Sequence, residues 1–238
     1  MPASTFEALR LIEPVRSGDE GYREAKRILP APPAHVDAVP PFLTHPVAAI
    51  VQNLWLTGAR CSEVTALRPI DIDTNGAILT AELARHKMKN RGKTRMLALS
   101  PRSQRVLKPF LIRDVSEPLF SPAEGIADHL AVKHARRKTP LRHGNRPGTN
   151  RCVDPKKRPG RTYSTGTVRH SIARACESSL VPVWTPHQLR HLAATEIRCQ
   201  YGLEAAALVL GHASATLTDR VYAERDAAKV VDVMRKLG

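Results

Sequence analysis

Aromatic side chains make up only 4% of the 238 residues. A surface that stacks successive bases of RNA or single-stranded DNA is built on such rings, so composition argues against that mode of binding. The four cysteines, Cys61, Cys152, Cys176 and Cys199, are scattered and form no CxxC pair. That pattern fits reduced thiols in a cytoplasmic chain better than a disulfide framework. No apolar run is long enough to span a bilayer, and no charged segment leads into an apolar one at the N-terminus. Neither a membrane span nor a signal peptide is therefore expected. A glycine-rich phosphate loop and an acidic metal cluster are both missing from the sequence, so no cofactor is expected either.

What the chain has is positive charge. It carries a formal +15 with a pI near 10.3. Lysines and arginines that neutralise phosphates release condensed counterions, which makes nucleic acid the leading candidate partner. Hydrophobic residues reach 42%, enough for a packed core. The charge is unevenly placed. Residues 133–161 hold eleven Lys or Arg against one acid, Asp154, with Gly and Pro throughout. This segment reads as an exposed basic loop suited to the DNA backbone.

The expected architecture is mainly α with a small antiparallel β-sheet, an α+β fold. Short helices are predicted over 5–15 and 20–28, followed by a proline-rich linker around Pro30–Pro33 and Pro40–Pro41. Residues 1–40 therefore form an extension and 41–238 the main domain. Val47, Ile50, Val51 and Leu54 recur at helical spacing up to Gly58. Ser62 is expected to cap a short helix over 63–68, stopped by Pro69. Asn75-Gly76 is a hairpin turn between strands at 70–73 and 77–80, and 94–99 suits a third strand. Helices follow at 102–113 and around 124–138. The last third is helical: Thr185-Pro186 opens a helix that Gly202 ends, a second runs from Leu203 to Gly211, and a third carries Tyr222. A final helix sets Val230, Val233, Met234 and Leu237 on one face.

His187 and Arg190 share one helix face close to its N-terminus, where free amides already attract anions. A guanidinium there can grip two phosphate oxygens at once. His187 and His191 also have a spacing used by zinc sites, but no third ligand follows at a useful interval and Arg190 would repel the ion, so no metal is expected. His212 follows a helix end, and Tyr222 lies among polar neighbours; singly, neither residue points to a function.

Taken together, these residues resemble the boxes of the tyrosine recombinase, or phage integrase, family. TGARCSEVTALRPIDID (57–73) resembles the first box, whose arginine is Arg60 here. TPHQLRH (185–191) resembles the second, with His187 and Arg190, and LGHASATLTDRVY (210–222) the closing one, with His212 and Tyr222. HKMKNRGKTRMLAL (86–99) occupies the place where the family sets a lysine in a β-hairpin turn. Lys87 is favoured for it, with Lys89 a second candidate and Lys93 a third. The sequence departs from the family pattern in three ways: Ala98 stands where many members have proline, the step from His212 to Tyr222 is one residue longer than the common one, and only forty residues precede the main domain.

The resemblance implies metal- and ATP-independent cleavage and rejoining of duplex DNA through a 3′-phosphotyrosine. Tyr222 would be the nucleophile, Arg60, Arg190 and His212 would hold the phosphate oxygens, His187 would assist proton transfer, and Lys87 would protonate the leaving 5′-oxygen. It further implies a bacterial or phage-encoded, nucleoid-associated protein that assembles on DNA as a synaptic tetramer, using the segment after the tyrosine. Strand passage of the type IB topoisomerase kind is the alternative within this chemistry. A DNA-binding remnant without catalysis is the alternative outside it.

Overall fold

The computed structural model describes residues 3–12, 28–83, 95–144, 146, 152, 154–155 and 158–211. The hairpin lysines Lys87, Lys89 and Lys93, together with His212, Tyr222 and the C-terminal helix, lie outside the described residues.

One helix organises the rest. α3 (His45–Thr57) follows Thr44, carries Pro46 in its first turn and ends where Gly58 adopts the left-handed conformation, φ 61°. Its sequence buries Val47, Ile50, Val51 and Leu54 almost completely. Full burial of such side chains stabilises by about 1.5–3 kcal/mol each. Around it pack α4 (Cys61–Thr65), α5 (Pro101–Leu107), α6 (Pro122–Ala135) and α8 (Pro186–Leu210). Two side-chain bridges lock this arrangement: Trp55 Nε1 donates to Glu196 Oε2 of α8 at 2.8 Å, and the Ser103 hydroxyl of α5 bonds the buried Asn53 amide oxygen.

A three-stranded antiparallel sheet, β1 (Ile72–Asp73), β2 (Leu79–Glu82) and β3 (Met96–Leu99), lies in sequence order. The first turn is an Asx turn, because Asp73 Oδ1 accepts from the Asn75 amide at 3.0 Å and from its side chain at 2.8 Å. In β3, Leu97 and Leu99 face the core while Met96 and Ala98 face out. The Leu83 amide donates to the Arg95 carbonyl at 3.0 Å, so the segment between them leaves and returns at one point.

Several expectations are corrected. The helix of the first box starts earlier than Ser62 would allow: its cap is Arg60, because the Glu63 carboxylate reaches back to the Arg60 amide at 2.8 Å. The proline-rich stretch is not an unstructured linker. Pro33 opens α2 (Pro33–Ala38), and Ala31, Val36 and Val39 are buried in the main core. Proline suits a first helical turn, where its missing N–H would have no partner anyway. The basic segment begins inside a helix, since α6 runs to Ala135, and it contains a 3-10 turn at Leu141–His143. No bounds are predicted for α7 (Thr165–Ser178), although Ser164 caps it and Val168, Ile172, Ala175 and Cys176 bury at helical spacing. The first helix is α1 (Ala3–Leu11), a little earlier than expected. Among the described residues, no helix is long and apolar enough to cross a membrane.

Candidate active site

Three chain segments meet at the C-terminal end of α3. The first is the turn that follows it. Thr57 Oγ1 donates to the Asn53 carbonyl at 2.5 Å and accepts from the Ala59 amide at 3.2 Å, so the turn is bonded back onto the helix. Gly58 is required there twice over. Its φ of 61° favours glycine, and a Cβ would lie 2.8 Å from Leu210 Cδ2.

Two residues on, Arg60 leaves the turn. Its Nη1 donates to Glu63 Oε1 at 2.8 Å, and its side chain stays about one-third exposed. Glu63 is 2% exposed. Burial pushes its carboxyl up, but the Arg60 amide, the Arg95 charge and the Arg60 guanidinium outweigh burial and bring it below the usual carboxylate range. Arg60 is thus held by an ionised partner with one face open to solvent.

The second segment is the N-terminal part of α8. Its start is sharp: the Thr185 amide donates to Gln188 Oε1 at 3.0 Å, with Pro186 in the first turn. Arg190, one turn in, is 2% exposed. It crosses to the other two segments, Nη1 donating to the Gly58 carbonyl at 2.6 Å and Nη2 to the Leu210 carbonyl at 2.8 Å. Both acceptors lie at helix C-termini, where the dipole is negative and a cation is favoured. The third segment is the end of α8, where Gly211 takes φ 63° immediately before His212.

His187 stands on the same helix, its ring 4.7 Å from that of His191 and nearly perpendicular to it. Burial, then the charges of Arg190 and Arg60, push its imidazole below the ordinary 6.5. Such a ring is neutral at pH 7 and can accept a proton. Among the described residues, no group of three or more His, Cys, Asp or Glu could hold a metal ion. The expected pH behaviour follows from this depression. The acid limb of any reaction that needs the neutral imidazole should lie below pH 6.5, because His187 gains its proton only there. The unfolded chain binds that proton more readily, so stability should also fall as pH drops through 6.5. A pH–rate profile that already declines above 6.5 in the wild type, and is unchanged in His187→Asn, would contradict the assignment.

Of the six residues expected from sequence, Arg60, His187 and Arg190 are thus brought together. Lys87, His212 and Tyr222 lie outside the described residues, although the chain on both sides of the hairpin, and up to Gly211, converges on the same place. Sequence reasoning passed over two members of the cluster. Glu63 has a legible signal, since it stands three residues after Arg60 at the N3 position of a capped helix. Arg95 has none, because its partners are distant in the chain.

The sequence profile of the phage integrase family matches residues 36–229. No curated protein sequence matches the chain. Among solved structures, a Tn1549 transposon integrase in complex with circular intermediate DNA is 16% identical, with a TM-score of 0.62 over 99% of this chain and 76% of that one. XerA recombinase is 18% identical, with a TM-score of 0.58 over 97% of this chain and 71% of that one. XerH recombinase bound to a palindromic difH substrate is 16% identical, with a TM-score of 0.56 over 88% of this chain; the match spans 53% of the XerH chain. At these identities the likeness shows the fold: a mainly helical domain with a small antiparallel sheet, shared with recombinases and integrases. With the family profile covering most of its length, the chain belongs to the phage integrase family.

Proposed function

We propose that this protein cleaves and rejoins duplex DNA at specific sites, with residues 41–238 as the catalytic domain and the preceding stretch from Ala31 packed into its core. The observation that carries the reading is the buried Arg190, which ties the first-box turn at Gly58 to the chain end that leads into His212. Arg60 and His187 lie beside it. A phosphodiester under attack gains charge on its non-bridging oxygens, and preorganised cations stabilise that charge without rearranging. Arg60 and Arg190 supply these cations, helped by His212.

The step balances without cofactor or ATP. The Tyr222 oxygen bonds to phosphorus while the bond from phosphorus to the 5′-oxygen breaks, leaving a 3′-phosphotyrosine and a free 5′-hydroxyl. His187 takes the phenolic proton, needed because an unperturbed tyrosine has a pKa of about 10. Lys87 gives a proton to the leaving oxygen, and Lys89 is the second candidate for that role. Rejoining runs the same steps backward, since the ester keeps the bond energy. The integrase and recombinase structures similar to this chain include complexes with DNA, which supports duplex DNA as the partner. Assembly into a synaptic tetramer through the helix carrying Val230, Val233, Met234 and Leu237 belongs to the same reading, as does a cytoplasmic, nucleoid-associated place in a bacterial or phage setting.

The test is trapping. Incubation with a nicked suicide duplex should give a covalent protein–DNA band, resistant to denaturant and removed by protease. Relaxation of supercoils without strand exchange between two sites would instead favour topoisomerase-like passage.

The basic segment gives a separate expectation. Several of its arginines are already engaged within the protein: Arg158 pairs with Asp154 at 2.8 Å, Arg161 pairs with Glu117 at 3.0 Å, and Arg137 donates to the Thr139 carbonyl at 2.8 Å and the Gly144 carbonyl at 2.9 Å. Neutralising lysines elsewhere in 133–161 should weaken binding to all duplex sequences alike. The salt dependence should flatten by about 0.9 in log–log slope for each phosphate that is no longer neutralised. An unchanged slope with altered target preference would assign the segment to base reading instead.

A further inference from the structure

Arg95 takes no part in the chemistry above, yet it is a guanidinium buried to 7% exposure at the mouth of the site. Its position follows from the sheet. It immediately precedes β3, and its carbonyl accepts from the Leu83 amide at the base of the lysine-bearing hairpin. From there the side chain turns inward. Nε lies 3.3 Å from Glu63 Oε1, the same oxygen that accepts from Arg60 Nη1 at 2.8 Å. The contact is an ion pair rather than an aligned hydrogen bond, since Arg95 Nε makes none. At its other end the guanidinium lies over Gly211. A Cβ there would collide with Arg95 Nη1 and fall 2.7 Å from Cζ. Nη2 meets the Val209 carbonyl at 3.5 Å.

Burying a guanidinium is costly, and an apolar side chain of similar volume could fill the space more cheaply. What such a side chain could not do is face two elements at once with charge. The groups facing Glu63 are the Arg60 amide and guanidinium from the start of α4, and Arg95 from the edge of β3. Without Arg95, Glu63 is buried with one cation instead of two. The turn at Gly211 then loses the planar group packed against it.

We propose that Arg95 is a positioning residue for strand cleavage, bracing Arg60 through Glu63 on one side and the Gly211 turn that leads into His212 on the other. Its assigned role is orientation, because its guanidinium is buried against Glu63 and the Gly211 turn. It joins the hairpin base, the first box and the closing box into one rigid unit. The inference rests on the reading of Arg60 as a phosphate clamp.

The experiment is a mutant cycle on the full chain, read by single-turnover cleavage of the nicked suicide duplex. Arg95→Gln keeps bulk and polarity without charge and should lower the cleavage rate by up to about 100-fold, the cost of a misplacement of about 1 Å at the reacting groups. Duplex affinity and its salt dependence should stay as in the parent, because a buried cation meets no phosphate. Arg95→Lys restores the charge beside Glu63 and should recover part of the rate. In an Arg60→Lys background, Arg95→Gln should cost much less than in the parent, because the two changes act on one unit. If Arg95→Gln does not fold by circular dichroism, Arg95→Lys carries the same cycle against Arg60→Lys. Cleavage by Arg95→Gln at the parental rate overturns the proposal, and so do losses that simply multiply in the double variant. A parent chain that forms no covalent complex sinks the cleavage reading and this proposal with it. Parental cleavage matched by Arg95→Gln sinks this proposal alone.

Discussion

Tyr222→Phe is expected to form no covalent complex with a nicked suicide duplex while binding that duplex as well as the parent does. The substitution removes one oxygen and no charge. Affinity for DNA comes mainly from cations that neutralise phosphates, and all of them remain. Cleavage needs the nucleophile, which on the proposed reading is the Tyr222 oxygen. Gel retardation and denaturing electrophoresis on the same samples separate the two outcomes. A covalent band from the phenylalanine variant would move the nucleophile elsewhere. A loss of binding equal to the loss of cleavage would mean that the hydroxyl holds structure rather than does chemistry.

The second large effect is expected at Arg190, and it should be double. On the proposed reading Arg190→Ala removes a clamp on the phosphate, which typically lowers the rate by about 10²–10³-fold. It also strips the Gly58 and Leu210 carbonyls of their donors. Hydrogen bonds to a charged group contribute about 1.5–3 kcal/mol each, so denaturant midpoints should fall together with activity. Arg190→Lys keeps the charge but has no planar fork to reach two carbonyls at once. It should therefore recover neither stability nor rate in full. A lysine variant with parental cleavage would show that charge alone suffices. An alanine variant of parental stability would deny the bridging role.

How much of this is legible from sequence depends on the range of each interaction. Thr185-Pro186 places the second box on a helix start, and the stops at Gly202 and Gly211 are equally local signals. Turn chemistry locates the sheet as well, because Asp73 and Asn75-Gly76 act within three residues of one another. Ser62 misleads as a cap since the decisive contact is the reach of Glu63 back to Arg60, and two capping residues compete in that stretch. The proline-rich stretch misleads because proline marks both linkers and helix starts, and burial of Ala31, Val36 and Val39 decides between them. Glu63–Arg95 cannot be read at all. A contact across 32 residues depends on the register of β3 against β2, which no local pattern states.

Gly202 bears on the site although it lies far from the three clustered side chains in sequence. In α8 it alone departs from helical geometry, at φ 88° and ψ 176°, with nothing within 4 Å of where a Cβ would stand. The constraint is therefore one of backbone and not of space. An uninterrupted helix rises about 1.5 Å per residue, which would carry Leu210 roughly 30 Å beyond Arg190. Yet Arg190 Nη2 holds the Leu210 carbonyl at 2.8 Å. The helix must therefore double back, and Gly202 is the point that permits it. The second and closing boxes, remote along a straight rod, become neighbours because one residue without a side chain closes the loop between them.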